Sequence, residues 1–522
     1  MSSQSAAARK IAGCTLPLFS LRSSRDWGVG EIGDLPACAK LLAGHGFSVL
    51  QLLPPHELAA GETSPYGART GFGLDPIYAS VDRITDLGPG DVERVLGEEG
   101  LRERERLRGL DEVDYAAVRP LKMRVLEAAF RNFVEREWRK DTARAKQLRA
   151  FAAREELWED DLALYVAIRK ERNEHGWKFW PLAERTRDPA TLAEARARLE
   201  HSVLFHKYLQ WQLFEQWAEA RDAMRRDGVM LFGDLPFVVG RESADVWSHS
   251  RLFLQDLDLG APPDEFSETG QSWGLPPYDW KALAAEQHAW IRARVAHAAR
   301  LYHGFRLDHV VGYFRQYVRQ GTALGDFDPK DETEQEAHGR RLLKAMKEAA
   351  NGAEFIAEDL GVIPRFVRSA LADLGMPGYK ILPWEKEPDG TMRDPREFPA
   401  LSVASYSTHD TPPLLAFYDE LPPRDRASLA ALANTSVDAV EGERERALLR
   451  LLFGARSTLA MMLAPEIFGE RRRINTPNTV GGHNWCYRLP ATLEGIERDA
   501  GLRGRLEMVG GLLREAGRTP PR

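Results

Sequence analysis

The sequence predicts an α/β fold, a (β/α)8 TIM barrel with large helical insertions between barrel strands. Short apolar stretches alternate with helical patterns, about eight such units follow one another, and acidic residues stand at the ends of several stretches. Alternation of strand and helix is typical of a parallel sheet. A barrel of such units has its active site at the carboxyl ends of its strands, where these acids would lie.

The predicted barrel strands share short runs of apolar and β-branched residues. In chain order they are Ile11–Leu18, Phe47–Leu53, Val229–Phe237, His303–Asp308, Glu354–Glu358, Tyr379–Pro383, Leu401–Ser407 and a last strand in or near Leu459–Leu463. Between them, Leu35–Ala43 and Pro364–Leu374 have the periodicity of helices. Pro364 suits the first helical position, because that position needs no backbone N–H.

Two long connections interrupt this pattern. Apolar residues recur at helical spacing in Leu121–Trp138, Leu162–Arg172 and Phe205–Met224, which predicts a mostly helical insertion at about residues 91–227. We expect it to belong to one barrel loop, so that residues 1–522 form a single catalytic domain. The connection at about residues 255–280 is polar with interspersed aromatic residues and predicts a lid-like loop, because loops on a rigid scaffold commonly carry function.

Composition and charge exclude several classes of partner. The chain is 43% hydrophobic and 29% charged, and its net charge of −7 comes without a basic stripe, so nucleic acid is not an expected partner. No apolar run has the length of a membrane span, and residues 1–10 lack the apolar core of a signal peptide. The three cysteines have no metal-binding spacing and favour a reducing compartment. We therefore expect a cytoplasmic protein without a membrane partner.

No cofactor or metal ion is expected either. The run Gly28–Gly33 fits the GxGxxG pattern of dinucleotide sites, but polar residues precede it and no acid follows at the required spacing, so we interpret it as a turn. His309 and His409 stand without an HExxH motif, which argues against a metal site. A GxSxG motif is also absent from the sequence, which argues against an acyl hydrolase.

Three acids each follow a predicted strand: Asp308, Glu358 and Asp410. Cleavage of a sugar bond needs such carboxylates, one as nucleophile, one as proton donor and one to hold the sugar. Arg306 points to the same side of the strand as Asp308 and would keep that carboxylate ionised, as a nucleophile requires. Glu358 follows the apolar run 355–357, so we expect burial to raise its pKa, as a general acid requires.

Other candidates retain two interpretations. Asp234 is either an active-site acid or a partner in a structural ion pair, and Asp359 either faces away from Glu358 or caps a helix. Several tryptophans in polar or Gly/Pro-rich surroundings are either core residues or flat platforms for sugar rings. They are Trp27, Trp247, Trp273, Trp280 and Trp485.

Seven segments, taken together and in order, carry a resemblance to a known family. They are Trp27–Leu35, Ser64–Tyr66, Gly233–Pro236, Phe266–Gln271, Arg306–His309, Ala357–Gly361 and Thr408–Asp410. With them the chain resembles the 4-α-glucanotransferases called amylomaltase or disproportionating enzyme, glycoside hydrolase family 77, over nearly its whole length.

The resemblance implies a retaining enzyme that transfers segments between maltooligosaccharides or longer α-glucans. It implies Asp308 as the nucleophile, Glu358 as the acid/base and Asp410 as the acid that holds sugar hydroxyls at the transition state. The residues that it implies for substrate binding are Arg306, His409, Asp234, Tyr66, Ser267, Gln271, Trp273 and Phe266. An α-glucan hydrolase of the amylase group and a carbohydrate-binding protein on an inactive enzyme fold remain as alternatives.

Overall fold

The computed structural model describes residues 10–263, 270–477, 479 and 481–518 of the chain. Within this part the strands, numbered in chain order, are β1 (Ile11–Thr15), β2 (Val49–Gln51), β3 (Met230–Leu235), β4 (Asp258–Ala261), β5 (Gln271–Ser272), β6 (Gly304–Leu307), β7 (Gln316–Arg319), β8 (Asp326–Asp328), β9 (Glu354–Ala357), β10 (Gly378–Ile381), β11 (Ser402–Ser405) and β12 (Leu459–Leu463). Eight of them form a closed barrel in the order β1-β12-β11-β10-β9-β6-β3-β2. All neighbours in the barrel are parallel, which confirms the predicted fold.

The helices of the same part surround the barrel or fill its long connections. They are α1 (Leu35–Gly44), α2 (Asp91–Gly109), α3 (Tyr115–Arg136), α4 (Ala143–Arg154), α5 (Glu159–Glu171), α6 (Leu182–Arg185), α7 (Pro189–Arg198), α8 (Glu200–Arg226), α9 (Ala244–Ser248), α10 (Trp280–Ala285), α11 (Ala289–Leu301), α12 (Glu332–Ala349), α13 (Arg365–Asp373), α14 (Leu414–Glu420), α15 (Pro423–Leu432), α16 (Glu441–Gly454), α17 (Ala464–Ile467), α18 (Leu493–Arg498) and α19 (Ala500–Glu515). Among these helices none is long and apolar enough to cross a membrane.

Each predicted strand contains or overlaps one barrel strand, and most barrel strands are shorter than predicted. β10 begins at Gly378, one residue before the predicted start at Tyr379. β1 ends at Thr15, because Pro17 has no N–H for the sheet and a 3-10 turn follows at Leu18–Ser20. The predicted position of Pro364 is wrong: it precedes α13 with an extended backbone and is not its first helical residue.

The connection between β2 and β3 holds α2 to α8, and the helices predicted there lie within or overlap α3, α5 and α8. One cluster of buried apolar side chains continues from the barrel into these helices, with Leu42 of α1, Phe133 of α3 and Trp211 of α8 among its members. Because a shared core makes separate folding costly, we propose that insertion and barrel form one domain.

A second cluster fills the interior of the barrel below its mouth. Its buried members are Val49, Phe232, Ile356, Tyr379, Ile381, Val403, Leu459 and Met461.

A small antiparallel sheet of order β5-β4-β7-β8 stands beside the barrel mouth. Its strands β4 and β5 come from the predicted lid-like connection, and β7 comes from the segment after β6. Pairing of β4 with β7 ties the lid to the segment that follows Asp308. Phe266 and Ser267, two of the predicted binding residues, lie outside the described residues.

Candidate active site

The predicted catalytic acids meet at the carboxyl-end mouth of the barrel. Asp308 directly follows β6, and Glu358 directly follows β9. These strands are neighbours in register, with Leu307 opposite Ala357, so the two acids occupy adjacent positions. On the other side of β6, Asp234 of β3 stands opposite Arg306.

Arg306 connects these acids through one buried guanidinium group. Its Nη1 atom lies 2.6 Å from Oδ2 of Asp234 and 3.0 Å from Oδ1 of Asp308. Its Nη2 atom lies 3.6 Å from Oε2 of Glu358. Only 6% of Arg306 is exposed, and such a shielded cation stabilises several negative charges in a small volume. The pairing with Asp308 was predicted, whereas the contacts with the other two acids were not.

Glu358 has the environment of a proton donor. Burial raises its pKa to about 8, and the charge of Asp308 acts in the same direction. Arg306 and the backbone N–H of His309, which donates to Oε2 at 2.6 Å, act in the opposite direction. His309 takes a left-handed backbone conformation, φ 45°, that brings this N–H back towards the neighbouring strand. The direction of the pKa shift is the one expected from the sequence.

The pKa of Asp410 is shifted in the opposite direction to that of Glu358. Burial alone would raise its pKa, but His409, Asn475 and Arg306 hold it well below its usual range. Nδ2 of Asn475 donates to Oδ1 of Asp410 at 2.7 Å, and Nε2 of His409 lies 3.3 Å from Oδ2. Nη2 of Arg473 donates to the backbone oxygen of Asp410 at 2.7 Å. Asp410 is therefore kept as a carboxylate.

Tyr66 links Asp234 of β3 to His409, the neighbour of Asp410 in the loop after β11. Its hydroxyl donates to Oδ2 of Asp234 at 2.8 Å and lies 3.1 Å from Nε2 of His409. The Tyr66 and His409 rings stack at 5.5 Å, and the buried Trp485 packs 5.8 Å from each ring centre. The structure thus brings together the predicted residues Tyr66, Asp234, Arg306 and His409.

Trp273 and Gln271, the two described residues among the four predicted binding residues of the lid, differ in what they contact. The Trp273 ring meets the His309 ring edge-on at 4.9 Å, which places the indole beside the residue that follows Asp308. Gln271 lies in β5 opposite Ala261 and is partly exposed. Among the described residues, the hydrogen bonds of Asp308, Glu358 and Asp410 do not involve Gln271.

Sequence reasoning missed the contribution of the segment after β12. Asn475 and Arg473 contact Asp410 although more than sixty residues separate them from it. Their polar segment, Arg471–Asn475, was the available signal, but nothing local shows which strand end it meets. The open interpretation of Asp359 is also resolved: its Oδ1 accepts from the backbone N–H of Tyr379 at 2.7 Å, so it joins β9 to β10 and does not cap α13.

A barrel whose mouth holds one carboxyl group with a raised pKa and another with a lowered pKa is typical of enzymes that act on glycosidic bonds. Among the described residues no group of three or more His, Cys, Asp or Glu side chains could hold a metal ion.

Comparison with known proteins shows to which family within this class of enzymes the chain belongs. A family model described as 4-alpha-glucanotransferase matches residues 16–493, and the chain therefore belongs to this family. The 4-alpha-glucanotransferase of Thermus thermophilus is 31% identical over 503 residues, which are 92% of this chain and 95% of that protein. That of Chlamydia muridarum is 28% identical over 506 residues, or 95% and 94%.

A solved structure agrees with this assignment at the level of the fold. The amylomaltase from Streptococcus agalactiae, determined in complex with acarbose, superposes with a TM-score of 0.83 at 24% identity. The match covers 98% of this chain and 100% of that chain. The predicted family and transferase activity are confirmed, and the family supports the transferase over the alternative hydrolase.

Proposed function

We propose that the protein transfers α-1,4-glucan segments between maltodextrin donors and acceptors by a retaining double displacement. The observation that carries this proposal is the shared position of Asp308 and Glu358 around Arg306. Arg306 pairs with Asp308, while burial raises the pKa of Glu358 to about 8. One acid therefore has the environment of an anionic nucleophile and the other that of a neutral proton donor.

The first half-reaction forms a glucosyl-enzyme. A carboxylate oxygen of Asp308 attacks the anomeric carbon of the donor, and the bond to the glycosidic oxygen breaks. That oxygen takes the proton of Glu358 and leaves as the 4-hydroxyl group of the shortened chain. The backbone N–H of Phe237, 3.4 Å from Oδ2 of Asp308, helps to orient the nucleophile.

The second half-reaction reverses these bonds with a new partner. The 4-hydroxyl of an acceptor glucan loses its proton to Glu358 and attacks the anomeric carbon, and Asp308 leaves as a carboxylate. Two inversions at one carbon preserve the α configuration.

The remaining predicted residues would hold the donor sugar and keep water away. Asp410 is charged and fixed by Asn475, so it can accept hydrogen bonds from two sugar hydroxyls, which strengthen as charge develops on the ring. Tyr66, Asp234 and His409 form the adjoining polar wall. We assign Trp273 and Gln271, with Phe266 and Ser267, to a lid that favours transfer over hydrolysis.

We also propose that this reaction takes place in the cytoplasm. The three cysteines, Cys14, Cys38 and Cys486, are free and buried, which fits a reducing compartment.

Incubation with maltotriose tests the proposed reaction. We expect glucose together with a ladder of longer oligosaccharides, because each donor fragment is passed to another chain. Shorter sugars alone would contradict transfer.

A matched pair of variants tests the assignment of the acid/base. Glu358→Gln should remove the ladder, whereas Glu354→Gln changes an exposed acid at the other end of the same strand and should keep it. Equal activity of the two variants would contradict the role of Glu358.

A further inference from the structure

The buried carboxyl group of Glu466 joins three segments near the mouth of the barrel. Its Oε1 atom accepts hydrogen bonds from the hydroxyl of Ser407 and, at 2.9 Å, from the backbone N–H of Leu414. Its Oε2 atom accepts from the backbone N–H of Leu463 at 2.8 Å. Glu466 is 3% exposed, and a carboxyl group is costly to bury unless such partners satisfy it.

Two of these partners are the two ends of one loop. Ser407 lies two residues after β11, and Leu414 is the first residue of α14. Residues 407–414, which we call the Asp410 loop, carry His409 and Asp410 between these ends. Because both ends bond to the same oxygen atom of Glu466, this atom closes the loop at its base.

Further hydrogen bonds inside the Asp410 loop fix Asp410 relative to that base. The Oγ1 atom of Thr411 accepts from the backbone N–H of Thr408 at 2.9 Å. The Oγ1 atom of Thr408 accepts from the backbone N–H of Asp410 at 3.2 Å. We therefore expect a displacement at either end of the loop to be passed on to the Asp410 carboxylate.

The third partner connects the loop to the neighbouring strand of the barrel. Leu463 ends β12. The register of β11 with β12 consists of two residue pairs, Val403 with Leu459 and Ala404 with Ala460. Beyond these pairs, towards the mouth, Glu466 adds hydrogen bonds that join the segments following the two strands.

The surroundings of Glu466 show that its carboxyl group serves these donors and not an arginine. Arg505 of α19 forms its ion pair with Glu445 and donates to the backbone oxygen of Glu466 at 3.3 Å. Burial raises the pKa of Glu466 to about 7, whereas the three donors act in the opposite direction. The change Glu466→Gln replaces one acceptor oxygen by an NH2 group, so it must break at least one of the three bonds.

We propose that Glu466 is a positioning residue for Asp410: it closes the Asp410 loop and thereby sets where that carboxylate meets the donor sugar. This inference rests on the proposed role of Asp410 in holding sugar hydroxyls at the transition state. A group that is misplaced by about 1 Å can cost about 10²-fold in rate, even when the changed residue lies away from the chemistry.

A double-mutant cycle with Asp410 tests this proposal. An α-maltotriosyl fluoride releases fluoride when the glucosyl-enzyme forms, a step in which Asp410 would hold the donor sugar. Glu466→Gln should lower kcat/KM for this donor about 10- to 100-fold in the wild-type background. When Asp410→Asn is already present, the same change should lower it less than about twofold, because residues that act through one group are not additive.

Two further variants control for damage to the fold. Glu445→Gln also changes a buried carboxyl group, one that pairs with Arg505 and does not contact the loop, so kcat/KM per folded molecule should be unchanged. Ser407→Ala removes one of the three bonds and should lower kcat/KM about 3- to 10-fold, again only while Asp410 is intact. If Glu466→Gln does not fold, the cycle of Ser407→Ala with Asp410→Asn decides.

Each other outcome overturns a stated claim. An equal loss in both backgrounds would show that Glu466 acts otherwise than through Asp410, and unchanged rates in the folded variants would remove its role. Full activity of Asp410→Asn would overturn the inference together with its premise. If the wild type releases fluoride but never transfers the sugar to added maltose, the proposed transfer fails, whereas the cycle, which is measured on fluoride release, still decides the role of Glu466.

Discussion

Two buried arginines at opposite ends of the barrel show how differently one side chain can be used. Arg306 at the mouth is 6% exposed and faces three carboxyl groups, those of Asp234, Asp308 and Glu358. Arg518 at the bottom is 0% exposed and forms no ion pair with a described carboxylate. Mouth residues in such barrels serve chemistry, and bottom residues serve stability.

In the part of the chain that the structure describes, Arg518 hydrogen-bonds to backbone oxygens alone. Its acceptors, at 2.6–3.3 Å, are the carbonyl oxygens of Phe453, Ala455, Ser457, Thr458 and Ile11. Four of them lie at the end of α16 and in the segment that enters β12, and the fifth lies at the start of β1. Burial lowers the pKa of Arg518 to about 10. Because β1 pairs with β12, this arginine holds the seam where the barrel closes.

This difference shows that the role of a buried arginine depends on the groups that it contacts and not on its burial. The carbonyl groups around Arg518 stay neutral throughout the reaction, so Arg518 can only stabilise the fold. In the proposed mechanism Asp308 and Glu358 change charge during catalysis, so the guanidinium of Arg306 would influence each step.

The largest effect should follow from Arg306→Lys, which keeps the charge but loses the planar fork. We expect kcat to fall about 10²–10³-fold, as when one preorganised donor is removed from an active site. The midpoint of urea unfolding should change little, because lysine still neutralises the neighbouring acids. Initial rates with maltotriose and an unfolding curve measure both. A large loss of stability with normal kcat would show that Arg306 serves the fold and not the reaction.

Arg518→Ala should have the complementary effect. We expect the free energy of unfolding to fall by about 2–4 kcal/mol, because several buried carbonyls lose a charged donor. Activity per folded molecule should be unchanged. The control is Arg514→Ala, an exposed arginine on α19, which should leave the urea midpoint in place. Lost kcat in a folded Arg518→Ala protein would contradict a purely structural role.

The pH profile should report Glu358. Its pKa is raised to about 8, so the proton needed in the first half-reaction is present at neutral pH and is lost as the pH rises through about 8. kcat/KM for maltotriose should then fall about tenfold per pH unit above that value, since one ionisation removes the active form. With a fluoride donor, whose leaving group needs no proton, the rate of fluoride release should lose this alkaline limb. An unchanged limb would assign it to another group.

The smallest effect should come from Asn475→Ala. This change removes one hydrogen bond to the charged Asp410 and should lower kcat/KM about tenfold. Because that bond helps to hold the pKa of Asp410 low, the acidic limb of the pH profile should also move to higher pH. Loss of activity without this shift would show that Asn475 acts otherwise than through Asp410.

What could be predicted from the sequence was local. Apolar runs located the eight barrel strands, and the residue order in Arg306–Asp308 and in Phe355–Glu358 indicated the environments of the two acids. Contacts between distant segments could not be predicted. Asn475 meets Asp410, and Arg518 meets Ile11, only because the barrel brings them together.

The exposure of the tryptophan side chains could not be predicted from the sequence either. Trp384 follows an apolar strand and is 46% exposed, whereas Trp485 and Trp280 stand in polar surroundings yet are buried.

The most direct test of the account is the identity of the residue that carries the sugar. The donor is an α-maltotriosyl fluoride whose terminal 4-hydroxyl is replaced by hydrogen, so that it cannot act as an acceptor. It is mixed with the Glu358→Gln variant, which lacks the base for the second step. After an acid quench, peptide mass spectrometry should find a maltotriosyl-type adduct on Asp308. An adduct on Asp234 or Asp410, or turnover with inverted configuration and no adduct, would contradict the central claim.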